Sequence, residues 1–255
     1  MEDKLKNPTY SICCHTRDFE YINEFIEHHL ELGFDKIVIY DNMSIIPVVY
    51  DHPKVEIILW NKPIIKLSTY NDFIKKYSNL YTWTAFIDED EFINTKNRSI
   101  QEVMDKFQHY DSLALNWRIF GDYIDFNNLS TKISEKYLYH VPENYEELNP
   151  DPNNLIYIKS IVKNCHLIKY NDPHFPILKS GKFNKGVQGQ KILGSVTSIK
   201  DVESEIWIDH YYFRGLDNYL FRQSRYVDIS KPRSIEAIKN MYYSVNPLAN
   251  KKRTI

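Results

Sequence analysis

Glycine is scarce in this chain, at 7 of 255 residues, which excludes collagen-like, linker-rich and loop-dominated architectures. The segment where a phosphate-cradling loop would follow a first strand reads "CCHTRDFEY" and contains no glycine at all. Cysteine is rarer still: three residues, two of them adjacent at Cys13-Cys14, give neither a disulfide framework nor a CxxC metal pattern. They read as small buried hydrophobes in a reducing compartment. No apolar run approaches the ~18 residues of a membrane helix, and "MEDKLKNPTY" lacks the apolar core of a signal peptide. The expectation is a soluble, cytoplasmic chain without a transmembrane segment, whether whole or one domain of a longer protein. Net charge is −2, too little to advertise nucleic-acid binding.

What is present is apolar and aromatic. With 43% hydrophobic residues, 20 Tyr, 13 Phe and 4 Trp, the chain can bury a large core, so disorder is excluded. Charge is locally uneven. Residues 159–200 carry eight Lys against one acid, Asp172, a block suited to an anionic ligand. The basic tail 231–255 reads as a solvated end.

Hydrophobic periodicity alternates between two and 3.6 residues over the first 120 positions. "TYSICC" (9–14), "KIVIYD" (36–41), "KVEIILW" (54–60) and "WTAFID" (83–88) are β-prone runs. Between them, 17–33 and 68–81 carry helical spacing, with Asp18 placed to N-cap the first helix and Gly33 to stop it. A helix over 100–110, strands over 112–121, 156–164, 166–170 and 205–215, and a helix over 216–230 follow. The order predicts an α/β fold with a mostly parallel central sheet flanked by helices, in one domain. In such sheets ligands sit beyond the carboxyl ends of the strands, where Cys14, Asp41, Trp60 and Asp88 fall.

The stretch "WTAFIDEDEFI" (83–93) sets four acids, Asp88 to Glu91, between apolar flanks. On a strand, alternation puts Asp88 and Asp90 on one side. Two carboxylates so close raise each other's pKa, and a hard divalent cation such as Mn²⁺ or Mg²⁺ would relieve that repulsion. The plainer reading is an acidic solvated turn. Asp41 and Asn42 offer a similar pair of readings, hydrogen bonds to a nucleobase or an Asx turn. His28 and His29, in the first amphipathic segment without a metal-spaced partner, are assigned to packing and surface.

"YDNMS" (40–44), "YNDF" (70–73), "WTAFIDEDEFI", "WRIFG" (117–121), "KSIVKN" (159–164) and "DHYYF" (209–213) occur in an order that resembles the family-2-like and family-92-like glycosyltransferases. The resemblance spans residues 11 to about 225. It implies a GT-A fold in a single domain over 1–255. The nucleotide-sugar-binding part would lie in about 9–121, and an acceptor and metal-completing part in about 122–230. It implies a nucleoside-diphosphate sugar donor, most simply a UDP-sugar, and a glycan, glycoprotein or lipid-linked acceptor. A Mn²⁺ or Mg²⁺ ion would be held through Asp88 and Asp90 of a DxD motif, with His210 completing the shell. Asp88, Arg17, Asp41, Asn42, Lys159 and Ser160 would contact the donor, although family members often carry Asn-Glu where this chain has Arg17-Asp18. Trp117 and His174 would face the acceptor. Asp122, with Asp125 as second candidate, would be the general base of an inverting displacement. A metal-dependent nucleotidyltransferase and a non-catalytic carbohydrate-binding or scaffold protein are the other classes. The first lacks its Gly-rich loop, and the second has no need of these motifs together.

Overall fold

The computed structural model describes residues 7–62, 66–123, 130–141, 156–197, 205–225, 234–246 and 251–252. In chain order the first stretch forms β1 (Tyr10–Thr16), α1 (Ile22–Glu31), β2 (Lys36–Asp41), β3 (Val55–Leu59), α2 (Lys66–Tyr77), β4 (Trp83–Asp88), β5 (Glu91–Asn94), α3 (Ile100–Met104) and β6 (Ser112–Ile119). A helical turn α4 (Ile133–Lys136) and the short β7 (Tyr139–His140) follow. Next come β8 (Ile156–Lys163), β9 (Leu167–Asp172), β10 (Phe175–Leu178), β11 (Asn184–Lys185), β12 (Lys191–Ile192) and β13 (Val196–Thr197). The remainder is β14 (Trp207–His210), α5 (Leu216–Arg225), α6 (Ile235–Val245) and β15 (Lys251–Lys252). These elements group into two compact units, Met1–Trp117 with Leu155–Ile208, and Arg118–Asn154 with Asp209–Ile255. Residues 155–208, expected with the acceptor part, therefore cluster with the first unit.

The first unit is built on a sheet ordered β12-β11-β6-β8-β4-β1-β2-β3. The pairs β1–β2, β1–β4 and β2–β3 are parallel, and β8 runs antiparallel to both β4 and β6. This is the mostly parallel α/β sheet expected from the alternation. Its central strands are buried on both faces, which explains why β2 and β4 are near-continuous apolar runs. Because β2 and β3 lie to one side of β1 and β4 to the other, a topological switch point falls between β1 and β4. His15 and Asp88 are register partners there, at the carboxyl edge.

Helix α2 packs against β1 and β9, and its Tyr70 and Phe73 join Cys13, Val38, Tyr40 and Phe86 in one apolar cluster. Helix α1 buries Ile22, Phe25, Ile26 and His29 against β2 and β5. Its two histidines bracket a single residue: His28 Nε2 donates to the Ile93 carbonyl at 2.7 Å, and His29 Nε2 accepts the Ile93 N–H at 3.2 Å. The packing assignment of this pair therefore has a specific content, since both fix the strand that follows the acid run.

Local departures from the periodicity have local causes. α1 begins at Ile22, because Asp18 is no N-cap: it takes φ 56° and turns its carboxylate to the Ile45 N–H at 2.5 Å. α3 has the Ser99–Glu102 capping box but tightens into a 3₁₀ turn at Asp105–Phe107. In the second unit, Phe213, Tyr219, Ile238 and Tyr242 form a core between α5 and α6. Arg118 and Asp209, both nearly buried, approach to 3.9 Å there.

Candidate active site

Strand β4 delivers Asp88 to the carboxyl edge of the first unit's sheet, and β5 turns back from Glu91. All four acids of the run are buried, at 9%, 3%, 2% and 0% exposure from Asp88 to Glu91, so the solvated-turn reading fails. The turn is closed internally, because Glu91 Oε2 accepts the Asp88 backbone N–H at 2.9 Å.

The charge of Asp88 is met by the protein itself. Its Oδ2 lies 2.7 Å from Lys66 Nζ and 3.2 Å from Lys159 Nζ, and its Oδ1 accepts the Tyr70 hydroxyl at 3.2 Å. Burial pushes this carboxyl up, but Lys159 and then Lys66 outweigh it and hold the group well below the usual carboxylate range. Burial drives Glu91 well above its ordinary range, which Lys159 at 3.7 Å offsets only in part. Two lysines thus offset the charge of Asp88 from within the chain.

The two lysines are not equivalent. Lys159 is fully buried, and its ammonium also donates to the Pro173 carbonyl at 3.2 Å and to Tyr70 Oη at 3.4 Å. Its three donors have partners, so it serves as an internal brace rather than an outward-facing cation. Lys66, the first residue of α2, retains 24% side-chain exposure. Nothing in its spacing marked it in advance.

His15 lies in the same corner and was also missed. It is fully buried, and among the described residues neither ring nitrogen has a hydrogen-bond partner. Burial lowers it to about 4, with Lys66 and Arg17 adding to the effect and Asp88 and Asp41 opposing it, so the ring is neutral near pH 7. Arg17, an expected donor contact, therefore belongs to this corner's electrostatics.

Other expected contacts are engaged elsewhere. Asp41 accepts the Ser44 and Val48 N–H groups at 3.1 and 3.0 Å, which is the turn-closing alternative. Asn42 donates to the Trp60 and Lys62 carbonyls, and its buried Oδ1 has no partner among the described residues. Ser160 faces the sheet interior and accepts from Asn184 Nδ2 at 3.1 Å, because Asn184 ties β11 to β6 and β8.

Trp117 and His174, the expected acceptor residues, do come together, with ring centroids 5.1 Å apart. Tyr157, half exposed and not foreseen, completes the group at 5.4 Å from Trp117 and 5.0 Å from His174. His174 Nδ1 donates to the Ile158 carbonyl at 3.1 Å, which fixes its tautomer. Burial lowers it to about 3, and Lys159 and Lys66 push the same way.

Asp122 and His210 belong to the second unit. Asp122 is anchored on α6 and its end, receiving the Tyr242 hydroxyl and Asn246 Nδ2. The His210 carbonyl accepts from Phe120 and Tyr212 N–H groups, and its ring packs 5.1 Å from that of Tyr212. Asp125 lies outside the described residues.

For a divalent ion, the donor set of the acid run is hard oxygen, which suits Mn²⁺ or Mg²⁺. Asp88 has both carboxylate oxygens engaged by donors, and Asp90 is buried at 2% exposure. Among the described residues no group of three His, Cys, Asp or Glu is arranged to hold a metal. None of the described helices is long and apolar enough to cross a membrane.

The family model for glycosyltransferase family 92 matches residues 55–231, more than two thirds of the chain, including the acid run, Lys66, Lys159 and His210. No curated protein matches. Among solved structures, S. aureus TarS 1-349 is 15% identical, with 62% of this chain and 47% of that one covered and a TM-score of 0.38. TarS 1-349 in complex with UDP-GlcNAc is 14% identical, with 62% and 46% covered and a TM-score of 0.37. The chain thus spans less than half of the length of those chains, and a likeness of that depth bears no weight for the site.

Proposed function

We propose, for a chain that belongs to glycosyltransferase family 92, that the buried acid run is the donor end of a nucleotide-sugar transferase site. The reaction would move a sugar from a nucleoside diphosphate, with UDP the first to test, to an acceptor hydroxyl. The observation that supports it best is the joint placement of Asp88 and its lysines at the switch point between β1 and β4. Ligands of open α/β sheets bind at such points, and a diphosphate leaving group calls for cations there.

In the proposed step the acceptor oxygen forms a bond to the anomeric carbon as the bond from that carbon to the phosphate oxygen breaks. The diphosphate leaves with the electron pair, and the hydroxyl proton passes to a carboxylate base. A bound Mn²⁺ or Mg²⁺ would act as a Lewis acid toward the departing diphosphate, with Asp90 as the proposed protein ligand. Octahedral Mg²⁺ sites often use one or two carboxylates and take their remaining ligands from water and phosphate. Lys159 braces Asp88 from within, Glu91 closes the turn, and Trp117, Tyr157 and His174 offer ring faces to an acceptor. The base role of Asp122, the inverting outcome that a single base implies, and a metal role for His210 rest on sequence position and the family resemblance.

The test is a screen of nucleotide sugars against the full chain with Mn²⁺ added or chelated, read by thermal shift and by nucleoside diphosphate release. Metal-dependent stabilisation and turnover by one nucleotide sugar supports the reading. No response to any nucleotide sugar overturns it.

A further inference from the structure

We propose that the first turn of α2 is the seat of the donor's pyrophosphate group, with Lys66 passing from Asp88 to a phosphate oxygen and His15 supplying a hydrogen bond. The proposal deepens the transferase reading and rests on it for the identity of the donor.

The described helix α2, Lys66–Tyr77, is twelve residues long and opens at Lys66. The amino end of a helix favours anions, and acidic side chains commonly occupy the first turn. Here the first turn carries no acid, so its positive end is not offset by a carboxylate of its own. Lys66 adds a full charge to that end. It reaches Asp88 Oδ2 at 2.7 Å, but this carboxylate is also held by Lys159 at 3.2 Å and by Tyr70 at 3.2 Å. Asp88 therefore retains a cation and a hydrogen bond if Lys66 departs. The exchange is one-sided because Lys159 is fully buried and braced, whereas Lys66 is partly exposed.

His15 is the independent second observation. It sits on β1 directly across from Asp88 in the parallel register, at the switch point. It is fully buried, and both ring nitrogens lack a partner among the described residues. Buried polar groups in folded proteins nearly always have a partner, so a pair left open among the described residues points to a ligand in this corner. A neutral imidazole carries one donor and one acceptor, suited to a phosphate oxygen on one side and a hydroxyl or water on the other.

The test is isothermal titration of inorganic pyrophosphate and of UDP into the full chain in EDTA. Wild type is expected to bind both. Lys66→Gln is expected to weaken both by about tenfold or more while the free protein stays folded, and Lys66→Arg to restore most of the affinity. His15→Phe is expected to weaken both ligands several-fold. Amine acetylation followed by mass spectrometry gives a readout on the wild-type chain if Lys66→Gln does not fold. Lys66 should be labelled in the free protein and protected by pyrophosphate, with Lys159 unlabelled throughout. Unchanged affinity in Lys66→Gln, absence of pyrophosphate binding by wild type, or no protection of Lys66 overturns the proposal. Pyrophosphate binding through Lys66 without turnover of any nucleotide sugar would leave this site standing and remove the transferase reading. Turnover by Lys66→Gln at the wild-type KM would do the reverse.

Discussion

Glu91 folds back to accept the backbone N–H of Asp88 at 2.9 Å, which turns the acid run into a closed loop at the end of β4. The two ends of the acid run are thereby fixed to each other, and both also approach Lys159. Glu91→Gln keeps an acceptor for that N–H and should leave the melting temperature near wild type. Glu91→Ala leaves a buried donor unsatisfied and should cost about 1–3 kcal/mol in urea denaturation. Equal stability of the two variants would show that the closure contributes nothing.

The unequal burial of the two lysines predicts unequal stability effects. Lys159→Met removes a fully buried cation from between Asp88 and Glu91 and should destabilise the chain by about 3–5 kcal/mol. Lys66→Gln removes a partly exposed partner of the same carboxylate and should cost no more than about 1 kcal/mol. Chemical denaturation of both variants checks the ranking, and a reversed order would contradict the brace role of Lys159.

Acid should loosen the first unit through its neutral histidines. His29 donates from Nδ1 to the Phe25 carbonyl and accepts at Nε2 from Ile93, an arrangement only the neutral ring can make. Burial lowers His29 well below its ordinary value, His15 to about 4 and His174 to about 3. The unfolded chain therefore binds protons first as pH falls through about 6.5, and stability is lost from there down toward the folded values. Each such histidine contributes a slope of up to about 1.4 kcal/mol per pH unit across that window. Urea midpoints at pH 7.5 and 5.5 measure it, and equal midpoints would contradict the neutral assignments.

The ring group of Trp117, Tyr157 and His174 predicts a split in the kinetics. Tyr157 is half exposed, so Tyr157→Ala should fold normally. It should raise the acceptor KM by about three- to tenfold, in keeping with the ~0.5–1.5 kcal/mol of an aromatic contact, and leave UDP affinity unchanged. A matching loss of UDP affinity would move these rings from the acceptor to the donor.

Much of the fold was legible because β1, β2 and β4 are short apolar runs ending in polar residues, and buried parallel strands leave that signature. The burial of Asp88 and Asp90 was legible for a related reason, since apolar flanks on both sides pull an acid run toward the core. Lys66 and His15 were not, since a lysine opening a helix and a histidine ending a strand carry no distinguishing spacing. Both come to Asp88 through tertiary contacts: Lys66 by an ion pair from α2, and His15 by the pairing of β1 with β4, between residues 73 apart in sequence. Ser160 misled because a motif position says nothing of which way a strand residue faces, and Asn184 claims it.

The transferase proposal turns on a nucleotide-sugar donor held at the acid run through a metal at Asp90. The measurement that tests it most directly is nucleoside diphosphate release from a panel of nucleotide sugars with Mn²⁺, comparing wild type with Asp90→Ala. Wild type should release nucleoside diphosphate from at least one sugar, and Asp90→Ala should lose about a hundredfold or more of that activity with the fold retained by circular dichroism. Full activity in Asp90→Ala would contradict it.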